Sequence, residues 1–147
     1  MIGRLAAVSR GGSSLLRVYT IGIGAFLLVQ GAASLLVRAT GRDPHMATRL
    51  LSDPTHATIH ALWGIALLAL LAQRDDPVLT AWAALAFGVF YVGFLVVGVV
   101  VHHPFGMMID GKENAFHAVI GLLALILGLR DVAGRRGVGP GRPAGSG

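Results

Sequence analysis

Residues 55–64 read THATIHALWG, and residues 112–121 read KENAFHAVIG. His60 and His117 thus occupy matching places in two segments that are otherwise almost wholly apolar. How far each segment extends upstream decides the fold. The uninterrupted runs Ala57–Ala72 and Asn114–Leu129 have sixteen residues each, too few to cross a hydrocarbon core of about 30 Å, which takes about 20. Both reach that length when they begin one turn earlier, and the residues there are helix-start residues. Asp53-Pro54 places a good N-cap before a proline at the first helical position. Asp110, with Glu113 three residues on, has the form of a capping box. Counting from these caps draws the histidines into the membrane.

The remaining runs are unambiguous. Val18–Val37 carries no charge over twenty residues, and Leu79–Val101 over twenty-three. A signal peptide is the competing reading of the first, but an apolar signal core runs only about 7–15 residues, so a retained helix is preferred. Composition agrees: 54% of residues are hydrophobic and 13% charged, with a mean hydropathy of +0.72, where a soluble domain carries roughly 25% charged residues. The sequence therefore predicts an all-α, four-helix integral membrane bundle with the lipid bilayer as its main partner. Residues 1–13 read as a short basic lead and residues 14–131 as the four-span domain, with spans at 18–37, 54–72, 79–101 and 111–129. Residues 132–147 read as a disordered Gly/Pro/Arg tail. The absence of cysteine excludes disulfides and thiolate chemistry. The net charge of +5 lies on residues that flank the spans and forms no stripe, which argues against nucleic acid.

Orientation follows from the basic residues. Arg4, Arg10, Arg17, Arg74, Arg130, Arg135, Arg136 and Arg142 fall on one side, against Arg38, Arg42, Arg49 and Lys112 on the other. The positive-inside rule puts the first side, and both termini, in the cytoplasm.

The second and fourth spans match at an offset of 57 residues: Asp53 with Asp110, His60-Ala61 with His117-Ala118, Gly64 with Gly121, Leu68 with Leu125. The first and third match poorly at that offset, with Gly31 on Gly88 as the best pair. This pattern predicts a helix pair used twice. His60 and His117 then lie at one depth, about 10 Å below the outer surface by helix rise. Gln30 reaches a similar depth, with Ser34 nearer the surface and Tyr91 deeper, so these residues form a polar layer. His56 and His60 share a helix face, as do Glu113 and His117, and the repeat aligns His56 with Glu113. Facing helices would bring three imidazoles and one carboxylate together. A second cluster lies in the loop HHPFGMMID, residues 102–110, where His102, His103, Met107 and Met108 combine ligands suited to copper; the structural alternative is a loop packed on the membrane surface.

The pattern His56-x-x-x-His60-x-x-x-Gly64 and the pattern Glu113-Asn114-x-x-His117-x-x-x-Gly121 resemble those of small four-helix bacterial membrane proteins known only as a family of unknown function. The resemblance covers roughly residues 14–130. It implies a multi-pass protein of the bacterial cytoplasmic membrane and brings no biochemical activity with it.

Three functional readings follow. In the first, the histidines are non-enzymatic packing residues that fix helix register through interhelical hydrogen bonds, with Gly64 and Gly121 letting helices approach. In the second, His56, His60, Glu113 and His117 bind a transition metal, or His60 and His117 hold a b-type haem, for electron transfer or metal handling. In the third, an oligomer uses the cluster for proton-coupled transport of a small solute. A membrane protein partner or a homo-oligomer is compatible with all three. No nucleophile–base pair or phosphate loop is present.

Overall fold

A computed structural model describes residues 2–41, 53–73, 76–101, 104–107 and 109–136, with side chains from Ser14 onward apart from Phe105. Four helices account for nearly all of it: α1 (Ile2–Thr40), α2 (Pro54–Gln73), α3 (Pro77–Val100) and α4 (Gly111–Arg136), with a single 3-10 turn at Pro104–Gly106. No strand occurs among the described residues. All four helices contain a stretch long and apolar enough to cross a membrane, and only 28% to 39% of each such stretch is buried within the protein. The outward majority carries Val18, Val29, Leu36, Leu62, Ile65, Val89, Val96, Val119, Leu122 and Ile126. A continuous apolar surface of that size needs lipid; the chain has the fold of a multi-pass membrane protein.

Local chemistry sets the helix ends. Asp53 Oδ1 accepts the backbone N–H of His56 at 2.8 Å. Asp76, whose role the sequence reading overlooked, accepts from Val78 N and Leu79 N ahead of Pro77. Asp110 Oδ1 accepts from Lys112 N and Glu113 N at 2.8 Å each, while Glu113 Oε2 accepts the Asp110 N–H at 3.2 Å. The capping box is thus closed in both directions. Asp110→Ala removes two of these bonds and releases Glu113; a loss of about 0.5–2 kcal/mol is expected in the thermal unfolding of the detergent-solubilised protein. Gly41, at φ +63°, donates to Arg38 O and stops α1 by the left-handed turn that favours glycine.

Two helices exceed the expected bounds. α1 begins at Ile2 rather than after residue 13; no proline interrupts it before Gly41. α4 continues to Arg136, five residues into the segment assigned to the tail. There Arg135 Nη2 donates to the buried Asp131 carboxylate at 2.7 Å, and Val132 packs on the Leu16, Ala81 and Ala84 cluster, so the last turns are anchored to the bundle. Residues 137–147 lie outside the described residues.

α1 packs chiefly on α2, and α3 chiefly on α4. The two pairs are built alike. A Cβ on Gly64 would lie 2.5 Å from Leu28 N, and one on Gly121 would lie 3.1 Å from Val92 N. A Cβ on Gly24 would meet Leu68 at 3.3 Å, and one on Gly88 would meet Leu125 at 2.7 Å. Leu68 and Leu125, like Gly64 and Gly121, stand 57 apart, but Gly24 and Gly88, like Leu28 and Val92, stand 64 apart. The counterpart of Gly88 is therefore Gly24, not Gly31. The first helix pair carries seven more residues between equivalent points, which breaks a single offset. Gly64 brings α2 onto α1, and Gly121 brings α4 onto α3, so neither closes α2 onto α4.

The core runs through Leu27, Leu67, Phe87, Tyr91, Ile120 and Ala124. Tyr19 ties α1 to α4 by donating its hydroxyl to Ile120 O at 2.6 Å. α2 approaches α3 far less than it approaches α1. The space on that side of α2 is filled by long polar and aromatic side chains.

Candidate metal centre

His56 and His60 lie on the buried face of α2, four residues and so about one turn apart, with ring centroids 4.6 Å apart. Asp53 fixes the first turn beneath them. From α4, His117 projects into the same space, one turn beyond Glu113. His56 and His60 are each 1% exposed and His117 is 0% exposed. These exposures matter because an imidazole so fully removed from water needs partners for both ring nitrogens.

The partners are unevenly supplied. His60 Nδ1 donates to Gln30 Oε1 on α1 at 3.2 Å, which leaves His60 Nε2 as a lone pair with no hydrogen bond among the described residues. His56 Nδ1 lies 3.6 Å from Glu113 Oε1, too far for a hydrogen bond, and His56 Nε2 lies 3.2 Å from His117 Nε2. His117 Nδ1 makes no hydrogen bond among the described residues, and neither do the Tyr91 hydroxyl or Ser34 Oγ. One ligand nitrogen from each of the three histidines lies within 4.8 Å of the other two.

The separation of 3.2 Å has a chemical meaning. Two imidazole nitrogens bound to one tetrahedral ion at about 2.0–2.1 Å each stand about 3.3 Å apart. A neutral N–H···N hydrogen bond gives a similar distance. The geometry therefore suits a shared ion or a shared proton. The carboxylate placement discriminates among metal arrangements. Glu113 lies at the Nδ1 side of His56, while Nε2 faces the other imidazoles. At 3.6 Å Glu113 is beyond hydrogen-bond reach of Nδ1, but it stands on the side from which a carboxylate orients a metal-bound histidine, outside the group of three nitrogens. Gln30 does the corresponding work for His60.

Aromatic rings wall the site. Phe94 and Tyr91 of α3 each lie 5.2 Å from the His117 ring, and Phe116 lies 6.1 Å from His60. Phe94 also belongs to an apolar cluster with Met107 and Ile109, on which Ile59 packs. Met107 is 1% exposed and is packing material there. His102, His103 and Met108 of the proposed loop cluster lie outside the described residues, as do His45 and Met46. Ser34 is buried, and its hydroxyl makes no hydrogen bond to the imidazole cluster among the described residues.

Of the wall residues, sequence reasoning named Tyr91 and missed Phe94 and Phe116. Phe94 follows Tyr91 by three positions on α3, so the same helical face carries both; that spacing was the available signal.

No family model, no curated protein and no solved structure matches this chain. What fold and site together define is a four-helix membrane bundle with a buried tri-histidine cluster.

Proposed function

We propose that this protein binds one first-row transition-metal ion, of the zinc and copper class, through His56, His60 and His117. The convergence of three buried imidazole nitrogens from two separate helices within 4.8 Å carries the reading. Neutral imidazole without thiolate suits zinc, copper, iron or nickel. Three protein nitrogens leave a fourth position for water or an incoming ligand. Glu113 behind His56 places negative charge close to a dication that would otherwise sit uncompensated in a medium of low dielectric.

A single ion fits better than haem. A porphyrin needs two imidazoles on opposite faces of a wide, flat cleft. Here two nitrogens lie 3.2 Å apart, and Phe94 and Tyr91 occupy the space beside His117.

We further propose that the site lies in the outer half of a cytoplasmic membrane, with both termini inside. Eight basic residues flank the ends of the helices assigned to the inner side and four those assigned to the outer side, and the caps Asp53 and Asp110 set His60 and His117 about two turns, and His56 about one turn, below the outer ends.

The test is elemental analysis of the purified, detergent-solubilised protein, followed by titration of chelator-treated protein with zinc and copper. Near-stoichiometric metal, or binding with one equivalent, is expected. Because protons and metal compete for the same lone pairs, bound metal should be released progressively as the sample is acidified. A folded protein that binds neither ion would leave the cluster as a packing device held by the His56–His117 hydrogen bond.

A further inference from the structure

The internal repeat assigns each site residue a counterpart. At the offset of 57, His60 corresponds to His117; at the offset of 64, Gln30 corresponds to Phe94. The two halves then treat equivalent imidazoles differently. In the first half, Gln30 Oε1 accepts from His60 Nδ1 at 3.2 Å. In the second, the Phe94 ring packs edge-on against His117 at 5.2 Å and 69°, and His117 Nδ1 has no hydrogen bond among the described residues. An apolar ring stands where the repeat elsewhere has an amide.

The consequence lies in where the protons sit. A hydrogen-bond acceptor at Nδ1 keeps the proton there and turns a bare Nε2 toward the metal. Gln30 does this for His60; at His56 no hydrogen bond is made at Nδ1, but the Glu113 carboxylate 3.6 Å away favours a proton there by its charge. Among the described residues His117 has neither an acceptor nor a carboxylate beside its Nδ1. Its favoured neutral form carries the proton on Nε2, where it is donated to His56 Nε2 across 3.2 Å and Nδ1 remains a bare acceptor. To ligate an ion, His117 must move that proton from Nε2 to Nδ1, leaving a buried N–H with no acceptor. The proton count is unchanged, but ligation by His117 is penalised.

We infer that His117 is the exchangeable ligand, with His56 and His60 the fixed pair, and that the site takes up and releases its ion rather than holding it permanently. Phe94 is then the positioning residue that sets the exchange rate. This inference rests on the metal reading above. It makes the protein a metal-handling protein, whose ion is cargo passed to or from the membrane surface.

The test compares Phe94→Gln with the wild-type chain and with Gln30→Leu. Zinc release into excess chromophoric chelator gives the exchange rate, and chelator competition gives the affinity. Unfolding of each metal-free protein reports the fold. Phe94→Gln should give His117 the partner that His60 already has, slowing release and raising affinity by about 10-fold or more; Gln30→Leu should weaken binding by about 10–100-fold. A folded Phe94→Gln protein releasing zinc at the wild-type rate overturns the inference while the metal reading stands. If Phe94→Gln does not fold, Gln30→Leu decides: unchanged affinity there refutes control by the Nδ1 partner. A wild-type chain that binds no zinc sinks both readings at once.

Discussion

Replacing His56 with alanine is expected to abolish stoichiometric metal binding while the four helices remain assembled. His56 is the hub of the cluster. Its ring lies 4.6 Å from His60 and 5.2 Å from His117, and its Nδ1 lies 3.6 Å from the Glu113 carboxylate. Its loss removes one ligand of three and separates the carboxylate from the site. The remaining rings, His60 and His117, lie 5.9 Å apart on different helices, and two imidazoles do not hold an ion against water and buffer. The expected loss exceeds the roughly 10–100-fold that an outer hydrogen-bond partner contributes, so Glu113→Gln should fall well short of it. His60→Ala should match His56→Ala, and His117→Ala, which removes the exchangeable ligand, should lose less than these but more than Glu113→Gln. This ranking, ligands above Glu113, is the readout; equal effects at all four positions would point to collapse of the fold instead. Metal content after gel filtration, with unfolding of chelator-treated samples alongside, separates the cases. A variant that keeps the ion places the metal elsewhere. A pure packing role predicts the opposite pattern: no metal in any sample, and a lower melting temperature for His56→Ala because a buried ring has been cut to a methyl group.

The parts of this site that could be read from sequence were those set by local chemistry. Asp53 and Asp110 act within one turn of themselves, and the step from His56 to His60 follows from helix geometry alone. The match between His60 and His117 survived because α2 and α4 differ by no insertion. What could not be read depended on distance between helices. A single offset of 57 misplaced the α1–α3 correspondence by two turns, since seven residues more separate equivalent points of the first pair. That error hid the relation between Gln30 and Phe94. It also hid which helix Gly64 meets, which is α1. Glu113 shows the same limit: its spacing put it on the His117 face, but only the approach of α2 decides that it meets His56 Nδ1 instead of sharing the centre. Apolar transmembrane faces look alike in sequence, so their pairing is set by glycine contacts that no periodicity discloses.

Those contacts make the second large effect. Gly64→Ala adds one methyl group, yet its Cβ would lie 2.5 Å from Leu28 N and 2.7 Å from Gly24 O. Gly31→Ala meets Ala57 O at 2.5 Å and Ala61 N at 2.7 Å. Both obstacles are backbone of the neighbouring helix, so no side-chain rotation relieves them and α1 must move away from α2. The cost should reach or exceed the about 1–3 kcal/mol of ordinary overpacking, large against the marginal stability of a domain this size. The same substitution at Gly22 or Gly93, where a Cβ meets nothing within 4 Å, should be neutral or stabilise the helix by up to about 1 kcal/mol, because alanine is the better helix former. Four chemically identical changes thus divide by sign according to which helix face they occupy. Unfolding of the four proteins in one detergent tests the division. Metal binding adds a second reading: Gly31→Ala spreads α1 from α2 at the turn that holds Gln30 against His60, so it should weaken the ion's hold even in protein that still folds. A Gly64→Ala protein as stable as Gly22→Ala would mean that α1 and α2 do not cross at these glycines, and the pairing of the two halves would have to be redrawn.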